Sequence, residues 1–388
     1  MMPIRLLKAS SFNAEALRSY YQDRPGLDSL SFAEQWQSLC ADLLVGTDFW
    51  QAGLEESGRF EVFETVLNCD PLQNAWAREN RVSGGRKDIV LAQAEAWRPE
   101  VFFSHDFETL DTKFRSEVRR RVPSVELILG WDGIARNDAA FFAGCDLMLS
   151  CIPHVVDYYK TQGIEGELFP YSLHEKTGKM ILRGRDLYPM TFAGSIQLKS
   201  RLHFQRAEYL YQAARNLPLR LQASGSVANW QWTHRDQRRR LRHFQFRQAW
   251  MTHFLGKVNQ GALFGLPMFQ FLADSGITFN IHIDAARGQA SNMRLFEATG
   301  AGACLLTDWQ EDLSNYFEPD VEVATYRSPE ELIRKARFLM EHPEERQRIA
   351  KAGQARTLRD HTFRQRAHLL ADIITRYLPK TGCKPLRS

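Results

Sequence analysis

The stretch 280–327 contains side chains suited to binding a phosphorylated ligand. Ser291 and Asn292 directly precede a short apolar run with helical spacing, and both residue types are good helix N-caps. A helix that begins after a polar loop presents free N–H groups and the positive end of its dipole to phosphate oxygens. Arg294 falls in the first turn, where its guanidinium could contact a diphosphate. The sequence therefore predicts an anion site at the start of this helix.

Glu297 adds a carboxylate to the same helix face, three residues after Arg294. A carboxylate in this place can accept two hydrogen bonds from the vicinal hydroxyls of a ribose. The simpler alternative is an amphipathic helix on which both charges are solvated. The small residues of the run 298–303 (ATGAGA) would let the helix pack closely on a strand. The ordered combination favours a nucleotide site over the simpler alternative.

Polar residues also stand where predicted strands end. Asn280 and His282 lie at the end of the strand-like run 277–283, and Asp308 ends the run ACLLTD. Tyr326 follows another such run and could lie against a base. Ligands of parallel sheets bind beyond the carboxyl ends of the strands, so these positions suit the wall of a binding cleft.

A glycine turn is predicted at 192–196 (FAGSI), after an earlier strand. Gly194 and Ser195 could bring backbone N–H groups close to a diphosphate or to the transferred group. Lys199 and Arg201 follow and could neutralise phosphates. An ordinary strand–turn–helix with two surface cations is an equally good interpretation of these residues.

The N-terminal half offers two polar strand ends that could supply a catalytic base. His105 follows the strand-like run VFF, and Asp132 follows the run ELIL. Either side chain could take a proton from an acceptor hydroxyl. The alternatives are a capping role at Asp106 and a tight turn at Asp132 and Gly133. Trp131 could stack on an acceptor sugar, although tryptophan is also a common core residue.

Three segments of the C-terminal half resemble group 1 glycosyltransferases: SNMRLFEATGAGACLLTD, DLSNYFEPDVEVATYRSPEEL and HPEERQRIAKAGQARTLRDHT. The similarity is closest to the spore-maturation CgeB-like branch, and it implies the GT-B fold and transfer of a sugar from a nucleoside diphosphate. In that family a Glu-x7-Glu pair lies on this helix, and its second Glu binds the donor ribose. Glu297 matches the second position, whereas Gln289 stands at the first and departs from the family pattern. The resemblance also supports a donor contact at Gly194 and Ser195.

Strand-like and helix-like runs alternate along all 388 residues, which predicts an α/β fold with parallel sheets. The pattern is interrupted by a polar stretch and restarts at 190. We therefore expect an N-terminal Rossmann-like acceptor-binding domain (1–172), a linker (173–188) and a C-terminal Rossmann-like nucleotide-sugar-binding domain (189–388). Together with the resemblance, this predicts two lobes of GT-B type that face a central cleft. C-terminal helices finish the chain, and the last of them could pack back on the N-terminal lobe.

Composition sets broad limits on location and partners. The net charge is +4, and the six cysteines form no C-x-x-C pair, so we expect a reduced, cytoplasmic protein. No apolar run reaches the length of a membrane span. The basic segment 235–247, with aromatic residues interleaved, mimics a nucleic-acid patch, but a solvated helix face is the commoner explanation. Contact with anionic lipid at the inner face of a membrane, or with a lipid-diphosphate acceptor, is a third interpretation.

The function favoured by these observations is metal-independent sugar transfer. The sequence has no Asp-x-Asp, so the charge on the departing diphosphate would be offset by the helix start, Arg294, and Lys199 or Arg201. No cofactor or metal is expected beside the nucleotide-sugar co-substrate. The acceptor would be a glycan, a lipid-linked glycan or a protein. The alternatives are a nucleotide-sugar epimerase or hydrolase of the same fold, and a non-catalytic nucleic-acid-binding protein that uses 235–247.

Overall fold

The computed structural model describes residues 2–44, 48–106, 108–134, 136, 138–197, 203–225 and 242–378, with backbone alone at 139, 204 and 242–248. The chain divides into two compact units. Unit 1 consists of Met1–Pro170 and Phe363–Ser388, and unit 2 consists of Tyr171–Thr362. The stretch 173–188, predicted as a linker, thus falls in unit 2.

Unit 1 is built on a parallel six-stranded sheet in the order β2-β1-β3-β4-β5-β6. Its strands are β1 (Ile4–Ser10), β2 (Phe60–Val66), β3 (Val101–Ser104), β4 (Leu127–Trp131), β5 (Leu147–Ser150) and β6 (Gly166–Leu168). The helices of the N-terminal part are α1 (Ala14–Gln22), α2 (Phe32–Ala41), α3 (Phe49–Glu55), α4 (Asp70–Asn80), α5 (Arg86–Trp97), α6 (Thr112–Arg121) and α7 (Pro153–Thr161).

Both faces of this sheet are buried, as expected of parallel sheets covered by helices. Leu6 packs into the core on one face and its neighbour Leu7 into the core on the other, because successive side chains of a strand point to opposite faces. The first core includes apolar residues of the last helix, 363–377. The second core includes residues of α5 and α6.

Unit 2 is built on a parallel five-stranded sheet in the order β11-β10-β9-β7-β8. Its strands are β7 (Tyr188–Ile196), β8 (Leu219–Gly225), β9 (Ser275–Asn280), β10 (Cys304–Asp308) and β11 (Ala324–Tyr326). Its helices are α8 (Thr177–Met180), α9 (Phe204–Asn216), α10 (Arg242–Val258), α11 (Gly265–Ala273), α12 (Arg294–Ala301), α13 (Pro329–Glu341) and α14 (Pro343–Asp360); α15 (Phe363–Tyr377) belongs to unit 1.

Glycines allow close packing around α12 and α14. Gly300 belongs to the run 298–303 that was predicted to pack closely on a strand, but its close neighbour is Leu173, and Gly353 lies outside that run. A Cβ on Gly300 would lie 2.1 Å from Cδ2 of Leu173, and one on Gly353 would lie 2.3 Å from the carbonyl oxygen of Glu322. Thr299 and Thr357 share a 2.6 Å hydrogen bond between their hydroxyls. These close approaches hold α12 against α14 and Leu173.

The predicted α/β fold with two Rossmann-like lobes is confirmed, and three local predictions are corrected. The single helix predicted over 32–56 is two helices, because Leu43 adopts a left-handed φ of 51°, a conformation in which helices end. The helix α4 was not predicted. Gly194 and Ser195 lie inside β7, which continues to Ile196 and pairs with β8 there, so no turn begins at Gly194.

Each sheet has a point at which the strand order reverses. In unit 1 this switch point lies between β1 and β3, and in unit 2 it lies between β7 and β9. The carboxyl ends of the two strands at such a point flank a crevice in which open α/β sheets bind ligands. Among the described residues no helix is both long and apolar enough to cross a membrane.

Candidate functional site

A buried arginine joins the strand ends at the switch point of unit 2. Arg206, on the first turn of α9, donates from Nη1 to the Ser195 carbonyl at 2.9 Å and from Nη2 to the Ile281 carbonyl at 2.8 Å. The residue is 7% exposed, and its Nε has no hydrogen-bond partner among the residues that the structure describes. Burial lowers the pKa of Arg206 to about 10, which leaves the group cationic at neutral pH. The switch point therefore contains a fixed positive charge.

The residues after β9 form a second polar group at this point. The Asn280 side chain donates to the Thr307 hydroxyl at 2.9 Å and accepts from Asn292 Nδ2 at 2.9 Å. His282 places its Nδ1 at 2.8 Å from Asp308 Oδ1. These contacts tie the end of β9 to the end of β10 and to the loop before α12.

The start of α12 has the capping arrangement that the sequence suggested, with Asn292 in the leading role. Asn292 Oδ1 accepts from the Leu295 backbone N–H at 3.2 Å, and the helix begins at Arg294. Ser291 is half-buried beside it. The loop before these residues passes through left-handed conformations at Arg287 and Gly288, with φ of 51° and 85°. In the first helical turn the N–H groups of Phe296 and Glu297 donate to the Met293 carbonyl at 3.0 Å, so the free N–H groups predicted for this helix start are not found at these positions.

Arg294 and Glu297 form an ion pair across one helical turn. Arg294 Nη1 lies 2.8 Å from Glu297 Oε2, and the two side chains are only 14% and 8% exposed. Arg294 Nε also donates to the Ala193 carbonyl at 3.0 Å, which links α12 to β7. Both charges predicted at this site are therefore present next to the switch point, and they are paired with each other.

Other predicted donor residues have different surroundings. Tyr326 is 1% exposed, and its hydroxyl donates to the Asn280 carbonyl at 2.6 Å. Its ring therefore belongs to the core, which argues against the predicted contact with a nucleotide base. Gly194 and Ser195 are strand residues whose neighbour Ala193 supplies the carbonyl bound by Arg294. Lys199 and Arg201 lie outside the described residues, and so do the side chains of the basic segment 235–247.

The predicted bases of unit 1 come together at the ends of β3 and β4. His105 stacks on Trp131 with ring centres 5.0 Å apart and planes 11° from parallel. Burial, with Lys8 nearby, lowers the pKa of His105 to about 3, and an imidazole with so low a pKa is a poor proton acceptor. Asp106 has the capping role given as the alternative, because its Oδ1 accepts from the backbone N–H groups of Glu108 and Thr109.

Asp132 is buried, and burial raises the pKa of its carboxyl although Arg136 opposes the shift. Its Oδ2 accepts from Arg136 Nε, and its Oδ1 accepts from the Ile134 backbone N–H at 3.1 Å. Both oxygens are therefore engaged. Among the described residues, no three His, Cys, Asp or Glu side chains are grouped so that they could hold a metal ion.

Residues 205–372 match a family model described as "Glycosyl transferase-like". This stretch is therefore similar to glycosyltransferase domains. It contains Arg206, the β9 end, α12 and the Asp308 carboxylate, so the polar groups of the switch point lie inside the matched region. No curated protein matches the sequence.

Solved structures with the same fold include a glycosyltransferase from Rickettsia africae ESF-5, with a TM-score of 0.59, 8% identity, and coverage of 98% of this chain and 100% of that one. Anabaena Alr3699/HepE in complex with UDP-glucose has a TM-score of 0.58 at 8% identity, covering 96% and 100%. A UDP-forming α,α-trehalose-phosphate synthase from Burkholderia vietnamiensis has a TM-score of 0.55 at 9% identity, covering 99% of each chain. At these identities the likeness concerns the fold, and it confirms the predicted GT-B architecture.

Two residues of the site escaped the sequence analysis or were given a lesser role. Arg206 was not singled out, although it lies on the same helical face as the buried Leu210 and Ala213. A charge on an apolar helix face was the available signal. Asp308 was expected only on the wall of a cleft, whereas it is the direct partner of His282.

Proposed function

We propose that this protein transfers a sugar from a nucleoside diphosphate donor to an acceptor hydroxyl, with the donor bound at the switch point of unit 2. The observation that carries this proposal is the buried guanidinium of Arg206, which spans the ends of β7 and β9 inside the glycosyltransferase-like stretch. A fixed cation at this place suits the diphosphate of a nucleotide. Within the group 1 glycosyltransferases, we propose that this protein belongs to the CgeB-like branch.

The chemistry depends on stabilising the leaving group. When the anomeric C–O bond breaks, the electron pair stays on the diphosphate, whose charge Arg206 and the first turn of α12 can offset without reorganising. Glu297 would accept hydrogen bonds from the ribose hydroxyls. This arrangement requires no metal, and activity should therefore persist in excess chelator. Loss of activity in chelator and its restoration by Mg²⁺ or Mn²⁺ would refute metal independence.

Unit 1 is the proposed acceptor domain. The face of Trp131 could support an acceptor sugar of a glycan, a lipid-linked glycan or a protein. Of the two predicted bases we retain Asp132, because burial raises its pKa and lowers that of His105. None of the five cysteines that the structure describes forms a disulfide, which supports our proposal of a reducing, cytoplasmic location.

A panel of nucleotide sugars, each tested for its effect on the melting temperature, checks the proposal. At least one should stabilise the protein, and Arg206→Gln should abolish the stabilisation. Arg206→Lys retains the positive charge, so this variant should retain part of the stabilisation by the nucleotide sugar. Arg215→Gln removes an exposed cation from the other end of α9 and should have no effect. Stabilisation that survives in the Arg206→Gln variant would refute the site, and turnover of the nucleotide sugar without acceptor would indicate an epimerase or hydrolase.

A further inference from the structure

His282 has one ring nitrogen engaged and one without a partner. Its Nδ1 lies 2.8 Å from Asp308 Oδ1, whereas its Nε2 has no hydrogen-bond partner among the described residues. The residue is 3% exposed. A buried ring nitrogen without a partner is costly, so proteins rarely keep one unless it has a ligand to meet.

Asp308 fixes the orientation of this ring. Besides Nδ1, its carboxylate accepts from the His282 backbone N–H at 3.0 and 3.1 Å, from Gln310 Nε2 at 2.6 Å and from the Thr307 hydroxyl at 3.2 Å. A carboxylate held by so many donors places the Nδ1 hydrogen toward itself. It also stabilises a positive charge on the imidazole.

Arg206 brings a second unpartnered atom to the same place. Its Nη2 donates to the carbonyl of Ile281, the residue before His282, and its Nε is also buried without a partner among the described residues. Two buried nitrogens from different elements, α9 and the end of β9, thus lack hydrogen-bond partners among the described residues at one switch point. An anion is the ligand that both could bind.

Charged groups of both signs surround the switch point. The groups near this point are Asp308 at the end of β10, Asp284 in the turn after β9, Arg206 and the neutral His203 on the α9 side, Arg294 and Glu297 on α12, and Tyr326 on β11. Three carboxylates and two arginines therefore oppose one another at this point. A diphosphate adds negative charge beside the arginines and thereby tips this balance toward protonation.

We infer that His282 takes up a proton when the donor binds and donates from Nε2 to an oxygen of the diphosphate. The inference rests on the proposed function, since it assumes a diphosphate at this switch point. A neutral ring whose Nδ1 hydrogen points to Asp308 would present a lone pair to the phosphate oxygens, which are acceptors themselves. Binding and protonation are therefore linked, and donor affinity weakens as the pH rises.

Calorimetric titration with UDP-glucose at pH 8, in two buffers of different ionisation enthalpy, measures this proton uptake. UDP-glucose is the probe because its diphosphate diester has no group that titrates near neutral pH, so any proton must be taken up by the protein. We expect uptake approaching one proton per site, because the hydrogen that Nε2 donates to the phosphate must come from solvent. The Kd of the wild-type protein should rise between pH 7 and 8, by up to about tenfold per pH unit, which is the limit for uptake of one proton.

Two variants complete the test. His282→Gln retains an N–H donor but cannot titrate, so it should bind UDP-glucose without proton uptake and with a Kd independent of pH. His253→Gln removes an exposed histidine of α10 and should behave like the wild-type protein. Binding by the wild-type protein without proton uptake, or uptake that persists in His282→Gln, would overturn the inference and leave the proposed function intact. If no nucleotide sugar of the panel binds, the proposed function fails, and the inference fails with it.

Discussion

The Arg294–Glu297 pair shows how a single interaction can serve both the fold and a ligand. Arg294 uses one nitrogen for the Ala193 carbonyl of β7 and another for Glu297. The pairing holds the carboxylate at the start of α12, where a ribose would meet it. Since the pair is largely buried, removing either member should destabilise the protein more than removing one member of an exposed ion pair.

Replacing Glu297 with Gln should reduce donor affinity by at least about tenfold, because hydrogen bonds to a charged acceptor contribute about 1.5–3 kcal/mol each. Calorimetry with the nucleotide sugar that stabilises the protein most measures the change. Glu345→Gln is the matched control, since Glu345 also pairs at i+3, with Arg348 at 2.7 Å, but with side chains 34% and 48% exposed. Wild-type affinity in Glu297→Gln would contradict the ribose assignment.

Three buried or half-buried histidines give the protein a defined response to acid. The folded-state pKa values of His105 and His203 are lowered to about 3 and that of His174 to about 4, chiefly by burial. The unfolded chain binds these protons near pH 6.5, where the folded protein cannot. The unfolded state therefore holds more protons at intermediate pH, and stability falls as the pH decreases from about 6.5 toward 4.

His105→Phe should reduce this acid sensitivity, since phenylalanine can keep the stack on Trp131 but does not titrate. We expect its melting temperature to fall less than that of the wild-type protein between pH 7 and 4.5, with His174 and His203 responsible for the remaining slope. His253→Gln, which changes an exposed ring, should follow the wild-type curve. An unchanged slope in His105→Phe would show that this ring already binds a proton in the folded state.

The sequence could predict the site residues that follow recognisable strands, and it missed those whose role depends on packing. Asn280 and His282 were predicted because an apolar run marks the end of β9, and parallel strands end at a common edge. Tyr326 follows the same rule, yet its hydroxyl points inward to Asn280, which no strand pattern reveals. Arg206 depends on the approach of α9 to two strand ends, a contact between residues 75 positions apart.

At the level of elements, small residues determine how closely α14 approaches the sheet of unit 2. The alternating pattern of strands and helices predicted these elements well, because parallel strands are apolar and helices amphipathic. Their ends were less predictable: β7 runs through Gly194 to Ile196, since pairing with β8 outweighs the weak strand preference of glycine. Gly353 is a packing glycine that only the distance to Glu322 explains.

Gly353→Ala should destabilise unit 2, by about 1–3 kcal/mol as expected for overpacking. In an isolated helix the same change would stabilise the helix by about 1 kcal/mol. The sign of the change in unfolding free energy therefore tells whether packing or helix propensity dominates at this position. Urea unfolding measures it, with Ala355→Gly at an exposed site of the same helix as a reference that should cost about 1 kcal/mol. A more stable Gly353→Ala variant would mean that α14 can move away from Glu322.

For the whole molecule, the path of the chain makes one unit continuous and the other discontinuous. Unit 2 is a single segment with its own core, whereas unit 1 is completed by α15 after the chain has passed through unit 2. The last helix contributes buried residues to the core of unit 1: Ala367, Leu370, Ala371, Ile373 and Ile374. A continuous segment with its own core is expected to fold alone.

The fragment 171–362 should therefore fold and bind the donor without the rest of the chain. Its Kd for the nucleotide sugar should equal that of the full-length protein, because Arg206, His282, Arg294, Glu297 and Asp308 all belong to unit 2. Circular dichroism and thermal melting establish that the fragment is folded, and calorimetry measures its binding. The complementary truncation after Thr362 removes α15 and should expose the apolar surface that this helix covers, which lowers the melting temperature of unit 1. A folded fragment that does not bind the donor would show that the donor site needs residues of unit 1, and it would remove the basis for placing the nucleotide at the ends of β7 and β9 alone.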